Sequence, residues 1–252
     1  MTTLAYAAAV FVLVILMSLP AYAVAARRRP ILLDADVAAR PITLLLGRWI
    51  RGWVMWLIAP LERALVRGGV SPDALNYAGG AFGLAAGIAY AKGAVALGGE
   101  FLLLGGLSDI LDGRIARARG VVSDHGEFLD SVIDRFSEMF AFVGLAVFFA
   151  PAFWGTLGTA LALGGSMLVS YTRAKGALVG VDYRGGLMAR AERLVLLAIG
   201  SLTDGPLCGY FGWRENSVLI TVLIVIGVGA TLTAAWRARV VLRELRKAVR
   251  SP

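Results

Sequence analysis

Residues 108–135 read SDILDGRIARARGVVSDHGEFLDSVIDR, and this stretch sets the fold. On a helix, Asp109, Asp112 and Ala116 fall along one face at intervals of three and four residues. Asp130 and Asp134 are one turn apart on a second helix, and Gly120 with the polar residues up to Gly126 suits a turn between the two. Two antiparallel helices joined there would aim four carboxylates into one space.

The surroundings of this stretch are apolar. Of 252 residues, 58% are hydrophobic and 17% charged, against roughly 25% charged in an ordinary soluble domain. Leu4–Ala26, Ala74–Ala91, Met139–Thr172 and Asn216–Trp236 carry no charge, and Pro151 divides the third of these into two helices. A membrane span needs about 20 mostly apolar residues. Two further spans, Gly93–Arg117 and Gly186–Thr203, carry charges, which are costly in a bilayer and mark a functional cavity. The expected fold is an all-α polytopic membrane helix bundle: six spans after residue 72, an extra N-terminal span, and an interfacial amphipathic helix.

The net charge of +8 does not point to nucleic acid. With the first span running inward, Arg27, Arg28, Arg29 and nearly all other basic residues fall on the cytoplasmic side. Only Lys92 and Arg214 of the 25 Lys and Arg fall on the far side, with Arg135 inside a span. This positive-inside pattern sets the basic surface beside anionic lipid headgroups. It implies a multi-pass protein of the inner or plasma membrane with the aspartates facing the cytoplasm. The single cysteine, Cys208, excludes a disulfide framework within one chain.

Four segments follow. Residues 1–35 form a membrane anchor and basic segment. Ala21-Tyr22-Ala23 resembles a signal-peptidase site, but no positive charge precedes the apolar run and three arginines follow it, so the run reads as a retained anchor. Residues 36–69 mix Trp49, Trp53 and Trp56 with Arg48, Arg51, Arg63 and Arg67, as in a helix lying in the membrane interface, with breaks at Pro41 and Pro60. Residues 70–240 form the membrane domain. It begins at a helix capped by Ser71 with Pro72 in the first turn and Gly79, Gly80, Gly83 and Gly87 spaced for close packing. Residues 241–252 form a basic cytoplasmic tail.

Four carboxylates at the edge of an apolar core require a cation among them. Oxygen donors suit Mg²⁺, with Mn²⁺ or Ca²⁺ as alternatives, and one histidine with one cysteine speaks against zinc. Mg²⁺ commonly completes its coordination with substrate phosphate. Gly113 leaves room for close approach to the backbone, and Arg117, one turn on, suits phosphate. Salt bridges among Asp109, Asp112, Arg114 and Arg117, a proton relay, or a cation-transport path are the alternatives. His125 reads as a solvated loop residue.

The spacing D-x2-D-G-x2-A-R-x8-G-x3-D-x3-D, formed here by Asp109, Asp112, Gly113, Ala116, Arg117, Gly126, Asp130 and Asp134, resembles the signature of the CDP-alcohol phosphotransferase family. The resemblance extends from about Val70 to Thr203. It implies metal-dependent transfer of a phosphatidyl group from CDP-diacylglycerol or a similar CDP-lipid to an alcohol, with release of CMP. It further implies two ions shared by Asp109, Asp112, Asp130 and Asp134, with Asp134 also the base on the acceptor hydroxyl. Gly113, Arg117 and Ser123 would hold the CDP moiety, and Asp73 and Asn76 would face the nucleotide, although Asn76 departs from the threonine usual there. A homodimer is also implied.

A second cationic group comprises Ser170, Arg173 and Lys175, then Arg190 and Arg193 after a glycine-rich stretch. Convergence of these residues would form a site for an anionic acceptor, a phosphorylated polyol. The segment resembles the corresponding region of phosphatidylinositol-phosphate synthases, which implies inositol phosphate as acceptor. Arg and Lys are exchanged relative to that pattern and Ala189 replaces a glutamate, so glycerol phosphate and other alcohols remain alternatives.

Overall fold

The computed structural model describes residues 17–26, 47–183 and 185–250. The expectations for Leu4 to Leu16, for Arg27, Arg28 and Arg29, and for Pro41 lie outside them. The described residues form eight helices and no strand: α1 (Met17–Ala26), α2 (Arg48–Arg67), α3 (Pro72–Ala91), α4 (Val95–Arg119), α5 (Asp124–Phe148), α6 (Phe153–Leu178), α7 (Arg190–Phe211) and α8 (Ser217–Arg250). The chain divides into two compact units, residues 1–65 and 66–252.

In the first unit, α1 and α2 meet through an aromatic seam. Trp53 Nε1 donates to Ser18 Oγ at 3.0 Å, and the Tyr22 ring lies edge-on to Trp49 with centroids 5.3 Å apart. Gly52 leaves the space that the Tyr22 hydroxyl enters. One expectation is corrected: Pro60 does not break the chain but sits inside α2. The helix tolerates it by giving up the one backbone hydrogen bond that a ring nitrogen cannot donate.

The second unit is a bundle of six helices. Those of α6, α7 and α8 are long and apolar enough to cross a membrane by length and composition. The other three match them in length, at 20, 25 and 25 residues, while α4 and α5 bear the charge that the site requires. Ser71 caps α3 by accepting from the Ala74 N–H at 3.2 Å, and Pro72 opens the helix as expected. Pro151 lies in the turn between α5 and α6. Gly186, at φ 141°, cannot continue a helix, so α7 starts at Arg190 rather than at Gly186. At the other end α8 continues unbroken past Trp236 to Arg250.

The motif stretch forms two helices, as its spacing predicts. Gly120 ends α4 in the left-handed conformation, at φ 66°, and Ser123 caps α5 by accepting from the Gly126 N–H. The two helices touch each other only lightly. Each packs along α3 instead, so α3 holds them apart and a space opens between them. The packing of α3 on α5 depends on absent side chains: a Cβ at Gly144 would run into the Gly87 carbonyl, and one at Gly83 into Ser137. Gly144→Val is expected to lower Tm in detergent by about 5–10 °C. Gly164→Val, at a position with no neighbour within 4 Å, leaves it unchanged.

The apolar core lies beyond the aspartates, around Tyr90, Leu102, Phe142, Leu145, Leu197 and Leu223. Two polar pairs lie within or beside it. Tyr90 and Ser201 share a hydrogen bond of 2.8 Å, and Asp204 Oδ1 accepts from the Leu219 N–H, which satisfies the start of α8. Cys208 is buried beside Asp204, consistent with a packing role.

Candidate active site

One carboxylate oxygen from each of Asp109, Asp130 and Asp134 lies within 4.8 Å of the others, so α4 and α5 bring three acids to one point. Asp112 lies outside this trio but near enough to interact with the charges of Asp130 and Asp109. It is buried, its Oδ1 accepts from the Gly113 N–H, and the Asn76 side chain hydrogen-bonds it from α3. The family-implied role of Asn76 toward nucleotide therefore has a local counterpart, the orientation of Asp112. Asp73 stands in the first turn of α3, where an acid suits the helix dipole.

An arginine bridges the trio. Arg190 Nη1 lies 3.0 Å from Asp109 Oδ1, and its Nη2 lies 2.6 Å from Asp134 Oδ1. One acid still has unmet demand, because Asp130 Oδ1 is buried with no hydrogen-bond partner. Three hard oxygen donors, one of them orphaned, fit a divalent cation of the Mg²⁺ or Mn²⁺ type.

Beside the acids, a cavity of about 470 Å³ is lined by Glu127, Ser131 and Arg135 of α5, Ser170, Tyr171 and Arg173 of α6, and Asp182 of the following loop. Arg135 joins cavity to acids: its Nη1 donates to the Ser131 carbonyl at 2.8 Å and lies 3.7 Å from Asp134 Oδ2. Arg173 faces Asp182 at 3.7 Å.

The five residues expected to bind an anionic acceptor are thus dispersed. Ser170 and Arg173 line the cavity. Arg190 reaches the aspartates instead, and Lys175 is exposed outside the cavity lining. Arg193 is corrected more strongly: it is fully buried, with its fork closed on Glu138, and no open face is left for a ligand. Gly113 meets only the Arg117 side chain, whose Nη1 would lie 3.3 Å from a Cβ there, so the two residues form one surface. Ser123 is exposed and serves first as a helix cap.

Sequence reasoning missed Arg135, Glu138 and Asp182 as site residues. For the first two a signal exists, because each is an ionisable residue within a span, at one and four residues after Asp134. Asp182 sits in a loop without local periodicity and gives none.

The chain belongs to the CDP-alcohol phosphatidyltransferase family, whose sequence model matches residues 70–228. A phosphatidylinositol phosphate synthase of Streptomyces avermitilis is 33% identical over 213 residues, covering 81% of this chain and 85% of the relative. The Mycobacterium tuberculosis phosphatidylinositol phosphate synthase solved with manganese and citrate shares 28% identity at a TM-score of 0.64, covering 73% of this chain and 88% of that one. The same enzyme solved with CDP-DAG bound gives 26% identity and a TM-score of 0.62, covering 72% and 92%. This protein is accordingly a membrane transferase that moves a phosphatidyl group from a CDP-linked lipid to an alcohol, and the cation-transporter alternative is set aside.

Proposed function

We propose that the chain transfers the phosphatidyl group of CDP-diacylglycerol to inositol phosphate, releasing CMP. The observation that carries the choice of acceptor is the position of Arg135, which touches Asp134 and also lines a cavity containing Arg173. A phosphorylated polyol in that cavity would meet two guanidinium groups, Ser170, and the carboxylates of Glu127 and Asp182 as acceptors for its hydroxyls. The relatives named above are phosphatidylinositol phosphate synthases, which supports the same choice.

Asp109, Asp130 and Asp134, with Asp112 at their side, would hold two divalent cations, Mg²⁺ or Mn²⁺. When bound, such cations neutralise the diphosphate and acidify a nearby hydroxyl. Asp134 takes the proton of the acceptor hydroxyl. The hydroxyl oxygen then bonds to the phosphorus that carries the lipid, the bond from that phosphorus to the CMP oxygen breaks, and no covalent enzyme intermediate is required. Arg117, Gly113 and Ser123, at the α4–α5 hairpin, hold the CDP moiety together with Asp73 and Asn76. Arg135 and Arg173 orient the acceptor phosphate.

The basic residues near this end of the bundle support a site on the cytoplasmic face of the inner or plasma membrane. Residues 70–240 carry the reaction as one half of a homodimer, with the anchor, the surface helix and the basic tail outside them. Purified protein given CDP-diacylglycerol and Mg²⁺ is expected to release CMP with inositol phosphate, and more slowly with glycerol phosphate. Turnover with free inositol or serine but with neither phosphorylated acceptor would sink the anionic pocket.

A further inference from the structure

Arg193 and Glu138 form the most deeply buried ion pair among the described residues, with side chains 1% and 3% exposed. Arg193 Nε donates to Glu138 Oε1 at 2.7 Å and Nη2 donates to Oε2 at 3.0 Å. A buried pair of this kind is no gain in stability over apolar side chains of the same size, because both charges lose their water. What the pair does impose is a fixed geometry between its two helices.

That geometry is specific. Glu138 is one turn beyond Asp134 on α5, and Arg193 is one turn beyond Arg190 on α7. The body of α7 packs along α4 and α8, whereas α5 packs along α3 and α6, so α5 and α7 meet chiefly through these side chains. The remaining nitrogen of the fork, Nη1, donates to the Met188 carbonyl at 3.2 Å. Met188 in turn donates its N–H to Thr233 Oγ1 at 3.1 Å, and Arg237 holds the Gly185 carbonyl at 2.9 Å. The loop bordering the cavity is thereby tied to α8 and, through Arg193, to the helix that carries Asp134.

We infer that Arg193 and Glu138 are positioning residues of the transferase: their bidentate pair fixes the start of α7 and residues 185–189 against α5. In doing so it sets Arg190 over Asp109 and Asp134 and anchors the end of the connection whose Asp182 lines the acceptor cavity. The effect on the acceptor rests on the pocket proposed above, whereas the effect on the loop does not.

The test uses full-length protein in detergent, with Glu138→Gln, Arg193→Met, Arg193→Lys and the double variant Glu138→Leu/Arg193→Met. Each of the first two strands a buried charge or breaks the fork and is expected to lower Tm by about 10 °C. The double variant strands no charge and recovers most of that loss. Arg193→Lys keeps the charge without the fork and loses less Tm than Arg193→Met. In all four, amide exchange of residues 185–192 quickens and KM for inositol phosphate rises, each by roughly tenfold or more, with a smaller change in kcat. A double variant and an Arg193→Lys protein with wild-type exchange and KM would overturn the inference and leave the pair a filler of space. Unchanged Tm and exchange in the single variants would overturn it too. If the wild type turns over no phosphorylated acceptor, the pocket's proposed ligand is wrong, and the exchange rates alone judge the pair.

Discussion

Asp134→Asn is expected to reduce CMP release by about a thousandfold or more while leaving the protein folded. The amide matches the carboxylate in size, so the packing of α5 on α3 is undisturbed. What it loses is chemical. It can no longer take a proton from an acceptor hydroxyl, and it offers a cation a neutral oxygen in place of an ionised one. Asp134 is buried, stands within 4.8 Å of its two partner acids, and receives Arg190 at 2.6 Å and Arg135 at 3.7 Å. No other acid in the trio also touches the cavity-lining Arg135, so none is placed to substitute for it. The assay is CMP release from CDP-diacylglycerol, with Tm measured in parallel. Near-normal turnover would remove Asp134 as the base.

The second large effect is expected at Arg190. Its guanidinium spans α4 and α5, fixing one oxygen each of Asp109 and Asp134 and leaving the other oxygens to a cation. Partners that orient metal ligands in this way contribute about 10–100-fold in metal affinity. Arg190→Gln is therefore expected to weaken Mn²⁺ binding by that factor, read by paramagnetic resonance of the free ion, and to lower turnover at limiting metal. Excess Mn²⁺ would recover part of the activity. Tighter Mn²⁺ binding in the variant would mean that Arg190 competes with the cation instead of orienting its ligands.

These two residues differ in how visible they are in the sequence. Asp134 is set by local spacing: Asp109, Asp112, Asp130 and Asp134 recur at helical intervals, and a glycine marks the turn between their helices. The helix pair, the cap at Ser71, and the division at Pro151 are legible for the same reason, since each depends on residues close in the chain. Arg190 is legible only as a cation near a membrane end, because its partners Asp109 and Asp134 lie on helices far back in the sequence. Arg193 follows the same rule. Its partner Glu138 is 55 residues away, and nothing in the local pattern separates a ligand-binding arginine from a buried, paired one.

Asp112 shows a different limit. Its spacing places it on the correct face of α4, but α3 offers it Asn76, and the two helices flanking α3 are held apart rather than pressed together. Local periodicity gives the direction of a side chain around its own helix. It does not give the distance to the next helix, which here depends on the glycines of α3 and on Gly144 of α5.

Crystals soaked in Mn²⁺ and measured at its absorption edge test most directly whether α4 and α5 share bound cations. Anomalous density is predicted between Asp109, Asp130 and Asp134, with carboxylate oxygens at about 2.2 Å. A catalytically active protein whose soaked crystals show no ion at those three side chains would contradict it.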